Sequence, residues 1–78
     1  MNKLPKSLYL DVVKFLKVNG PSKVSKNQDT GIIEQITSFS IENTKGKIEK
    51  YTLYLTFPIP RFIKCVRCRD NKSIPLEE

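Results

Sequence analysis

"LPKSLYLDVVKFLKVNGP", residues 4–21, decides the fold, because it fits two different elements. Coiled as a helix, it stacks Leu4, Leu8, Val12, Phe15 and Leu16 into one stripe, with Pro5 and Ser7 suited to the start and Gly20 and Pro21 to the end. Extended, it sets Leu8, Leu10, Val12, Leu16 and Val18 in alternation with Lys14 as the exception, and its three valines favour a strand. Apolar periodicity alone leaves both open.

The sequence that follows is more decided. "GIIEQITSFSI" (31–41) and "IEKYTLYLTF" (48–57) are rich in Ile, Thr, Tyr and Phe, and "ENTKGK" between them offers Asn43 and Gly46 for a reversal, which predicts a long central β-hairpin. The period of two puts Tyr51, Leu53, Leu55 and Phe57 on a core face, and Lys50, Thr52, Tyr54 and Thr56 on the other. Pro58 and Pro60 end that strand because neither can donate to a ladder, and "FIKCVRCR" restarts a third. "SKVSKNQDT" (22–30) is polar and aperiodic, so residues 19–30 are expected to form a mobile loop. Residues 1–7 and 71–78 read as flexible tails of a single small domain spanning 1–78, with a thin core.

Charge and cysteine usage bound the function. The chain carries +6 overall, distributed as +5 over residues 1–26, −1 over 27–60, +4 over 61–72 and −2 over 73–78. If the two basic segments meet, they form one positive face that attracts phosphate backbones or an acidic partner; otherwise they are a solvated surface. No apolar run approaches the length of a membrane helix, and Asp11 and Lys14 interrupt any cleavable signal core, so no membrane partner is expected. Two cysteines without an export signal suggest free thiols in a cytoplasmic setting.

Cys65 and Cys68 have the C-x-x-C spacing of a metal knuckle or redox pair. Structural zinc needs four ligands, and the chain has two cysteines and no histidine. On a strand, the pair lies about 10 Å apart on opposite faces, too far for a disulfide or a shared metal. The stretch therefore reads as a basic strand with packing cysteines, and no metal or cofactor is expected. No histidine, Gly-rich phosphate loop or G-x-S-x-G context offers catalytic chemistry, so no catalytic residue is assigned and a non-catalytic role is expected.

The order "DVVKFLKV", polar loop, "GIIEQI", hairpin, "KYTLYLTF", proline-bearing turn, "FIKCVRCRD" resembles the SH3-like barrel family in its KOW and related small forms, over residues 8–70. Leu10 stands where that family often has glycine, and "PIPRF" is longer than its tight crossover. The resemblance implies a mostly-β, small SH3-like barrel in which residues 8–19 are a strand. The alternative is an α+β fold, with an N-terminal helix packed on a three-stranded antiparallel sheet. Modules that the chain resembles include nucleic-acid-contacting domains and small subunits that clamp onto an enzyme.

Two binding surfaces follow as expectations. In the favoured one, Lys14, Lys17, Lys50, Tyr54, Lys64, Arg67 and Arg69 form a basic face that holds RNA or DNA phosphates and stacks a base on the tyrosine. In the other, Phe57, Ile59 and Phe62 of the apolar "FPIPRF" turn dock on a partner protein, as in an accessory or inhibitor subunit of phage or mobile-element type. Oligomeric state is left open.

Overall fold

The computed structural model describes residues 3–78. A helix α1, Lys6–Asn19, precedes five strands: β1 Lys23–Lys26, β2 Ile33–Glu42, β3 Ile48–Thr56, β4 Phe62–Arg67 and β5 Lys72–Ile74. The strands form one antiparallel sheet in chain order, β1-β2-β3-β4-β5. The protein is therefore mostly β, and the sheet is open, with β1 and β5 at its two ends.

Residues 8–19 are helix, which corrects the strand reading. The helical phase places Leu8, Tyr9, Val12, Val13 and Leu16 on one side, and all of them pack on the core. That side is needed, because Tyr51, Leu53, Leu55, Cys65 and Ile74 line one face of the sheet and a sheet face of this kind must be covered. Extended, the same segment would divide those residues between two faces. The ends match the helical expectation: Pro5 occupies the N-cap, and the amide of Gly20, at φ 80°, donates to Leu16 O at 2.8 Å. Phe15, Leu10 and Val18 turn away and are exposed. The described strands thus form an open sheet and not a closed barrel.

The hairpin of β2 and β3 is as expected, except that Phe57, expected on the core face, lies beyond the end of β3 and is exposed where the proline turn carries it off the sheet. Asn43 and Gly46 make the reversal: Asn43 Oδ1 accepts from the amides of Lys45 at 2.9 Å and Lys47 at 3.0 Å, and Gly46 adopts φ 77°. The loop expected over residues 19–30 contains β1, which pairs with residues 33–36, and its reversal repeats the same device with Asn27 Oδ1 accepting from Asp29 and Thr30. The expected tails also enter the fold. Lys72, Ser73 and Ile74 form β5 against β4, and Leu4 is fully buried and bridges Leu76. Met1 and Asn2, where the expected N-terminal tail begins, lie outside the described residues.

The inner face also carries polar side chains, each with a partner. Gln35 Nε2 donates to Thr56 O at 2.8 Å and Thr37 Oγ1 lies 3.4 Å from Ser22 Oγ. No described helix is long and apolar enough to cross a membrane.

Candidate functional site

Because α1 covers one face of the sheet, the other is open to solvent. Directly paired residues share a face, so the strand register assigns each side chain. One row across the open face is Lys23, Ile36, Tyr54 and Lys64, and the next is Ser38, Thr52, Val66 and Ser73. Ser25, Glu34 and Thr56 flank the first row; Ser40 and Lys50 flank the second. Tyr54 stands near the middle, half-buried, with the Lys64 ammonium 4.5 Å from its ring centroid.

The carboxylates of this face are few. Glu34 is buried, and Asn27 Nδ2 donates to its Oε1 at 3.1 Å, while Glu42 sits at the hairpin end. The turn asparagine thus withdraws Glu34 from solvent. Lys23, Lys50 and Lys64 take part in neither ion pair of the described residues. The open face is thus a shelf of hydroxyls with one aromatic ring and three free ammonium groups.

Of the seven residues expected in a basic face, the structure brings together Lys50, Tyr54 and Lys64. Arg67 falls in the inner row with Phe39 and Tyr51, and Asp70 holds its guanidinium bidentately, Nε to Oδ1 at 3.0 Å and Nη2 to Oδ2 at 2.6 Å. Arg69 Nη1 donates to Glu49 Oε1 at 2.9 Å. Lys14 and Lys17 lie exposed on α1, behind the sheet. Lys23 joins this face without a sequence signal, because it lies in a segment that reads as loop.

The bidentate grip of Arg67 holds the Asp70 carboxyl well below the usual range, at about 2 against an ordinary 3.8, aided by the Lys72 amide. A carboxyl depressed by folding stabilises the fold above its ordinary value and loses that contribution as pH falls through the folded value. Thermal unfolding should therefore become pH-sensitive between about pH 4 and 2, and Asp70→Asn should flatten that part of the profile. An unchanged slope in Asp70→Asn would dismiss the pair as a stabilising contact.

The two cysteines take opposite sides. Cys65 is buried beneath α1 opposite Leu53 and Ile74, and burial first, then Cys68, pushes its thiol up to about 11. Cys68 is exposed, with Sγ 3.4 Å from Thr52 Oγ1 on the open face. Both are free thiols, and no group of three or more His, Cys, Asp or Glu side chains among the described residues is placed to hold a metal.

The apolar turn is split between the two environments. Phe62 packs edge-on against Tyr9 of α1, with centroids 5.9 Å apart at 76°. Phe57 and Ile59 remain exposed at 40% and 68%, beside a cleft of about 310 Å³ between Leu16, Gly20 and Pro21 on one side and Pro58 and Pro60 on the other. The Phe57–Pro58 peptide bond is cis. Comparison of the chain with protein-family models, with curated proteins and with solved structures finds no match.

Proposed function

We propose that this chain is a non-catalytic binding module that lays single-stranded nucleic acid across the open face of its sheet. A base stacks on Tyr54, and Lys23, Lys50 and Lys64 hold the flanking phosphates. The observation that carries the reading is the composition of that face: a half-buried ring, three lysines outside any ion pair, and a central carboxylate already taken by Asn27. Spacing agrees with it. Lys64 is one strand from Tyr54, about 4.8 Å, and Lys50 is four residues along the same strand, about 13 Å, a span of roughly two nucleotides.

Fluorescence anisotropy with labelled single strands and duplexes at two salt concentrations tests it. Single strands should bind with log K falling by about 0.7 per phosphate contacted for each tenfold rise in salt. Tyr54→Ala should weaken binding by roughly 1–3 kcal/mol, about 5- to 150-fold, whereas Arg69→Ala, on a side chain already engaged by Glu49, should change it little. No binding of any strand at low salt sinks the reading. The exposure of Phe57 and Ile59 favours a second reading, docking of a partner protein at the proline turn, which Ile59→Ser would weaken without a change in salt dependence.

A further inference from the structure

β1 covers only part of its neighbour. It pairs with residues 33–36, and Ser22 still lies beside the buried Thr37 with their hydroxyls 3.4 Å apart, so residues 38–42 of β2 form the outermost strand at that side of the described sheet. Two backbone bonds fix which groups point outward. The Asn27 amide donates to Ile32 O on the β1 side, and the Phe57 amide donates to Ile33 O on the β3 side. Odd-numbered residues of β2 therefore bond to β3, and the amides and carbonyls of Ser38, Ser40 and Glu42 face away from the sheet.

Exposed edges are ordinarily blunted with lysine, proline or a bulge. β1 follows that rule with Lys23 and Lys26, but residues 37–41 carry no charge and no proline. Beneath them lies a groove of about 300 Å³ lined by Asp11, Val12 and Phe15 of α1 and by Thr37, Ser38 and Phe39 of β2, mostly apolar, with Phe15 57% exposed. An open ladder and an open apolar groove thus run side by side.

We propose that this edge is completed by the same edge of a second copy of the chain, the two β2 strands pairing antiparallel about a twofold axis at Ser40. Centred there, every outward group finds a counterpart. Ser40 faces Ser40 and Ser38 faces Glu42, each pair exchanging two backbone hydrogen bonds. On the inner side Phe39 lies opposite Ile41 of the copy, and these side chains enter the groove beside Phe15. On the outer side Glu42 comes to rest beside Ser38 of the copy, two residues or about 7 Å from the row that carries Lys23, so opposite charges meet where β1 begins. The twofold axis repeats the approach of Glu42 to Lys23 on both sides of the seam, and that charge complementarity favours a second copy over a strand of another protein. The dimer rests on the edge and does not need the nucleic-acid reading, although it brings Glu42 of the copy towards Lys23, one of the lysines that reading uses.

Sedimentation equilibrium over a concentration series should give a mass rising towards twice 9.0 kDa. Ser40→Pro removes an amide that makes no bond within the chain's own sheet, and Ser40→Lys sets two ammonium groups opposite each other at the axis. Both should retain the circular dichroism of the parent and raise the dissociation constant about tenfold or more. Ser40→Cys in a Cys68→Ser background should oxidise to a covalent dimer, since Cα atoms of a hydrogen-bonded pair lie about 5.5 Å apart, within disulfide range. A chain that stays monomeric at every concentration, or a dimer indifferent to Ser40→Lys, overturns the proposal.

Discussion

Leu53→Ala is expected to lower stability by about 3 kcal/mol, within the range of roughly 2–5 for emptying a fully buried leucine site. Leu53 is completely buried on the central strand, between Thr37 and Cys65 in the register, with α1 above. Its neighbours are held by two ladders, so the cavity cannot collapse. Domains of this size have a total stability of roughly 4–12 kcal/mol, so the loss is a large part of it. Urea unfolding should show a much lower midpoint with an unchanged slope, while Leu10→Ala, on the exposed side of α1, should stay within about 0.5 kcal/mol. A loss under 1 kcal/mol in Leu53→Ala would place the core elsewhere.

Leu4→Ala should be nearly as costly, about 2–4 kcal/mol, although the residue lies in a segment that reads as a tail. Its side chain is fully buried, its amide donates to Pro75 O at 2.8 Å, and its carbonyl accepts from the Glu77 amide at 2.9 Å. One small truncation therefore loosens both chain ends. Hydrogen exchange would show the Leu4 and Glu77 amides losing protection together, ahead of the hairpin. If the two amides respond independently, the bridge is not a cooperative unit.

The contrast between those two leucines shows what can be read in the sequence. Leu53 announces itself through strict alternation with Thr52 and Tyr54, and the reversal at Asn43 and Gly46 fixes its register, so hairpin and inner face are legible residue by residue. Leu4 heads the helical stripe in the sequence but lies outside α1, and Ile74 stands in a short, mostly polar stretch. Their burial depends on long-range pairing with Leu76 and Cys65, which no local period encodes. The same limit governs α1. Its residues satisfy both periods, and the choice is made by the need to cover Tyr51, Leu53 and Leu55. At the candidate site, Lys50, Tyr54 and Lys64 follow from alternation. The withdrawal of Arg67 and Arg69 does not, because Asp70 reaches back across a turn and Glu49 lies 20 residues away.

The order of the sheet bears on how quickly the protein forms. Every strand lies beside its neighbour in sequence, so each ladder closes a short loop and the entropy of closure is small at every step. The β2–β3 hairpin, the longest of these ladders, is expected to nucleate, with β4 and then β5 added by successive reversals. The contact between Leu4 and Leu76 spans nearly the whole chain and joins last. Its loss should therefore quicken unfolding while leaving the folding rate almost untouched, which makes the meeting of the chain ends a brake on opening rather than a guide to assembly.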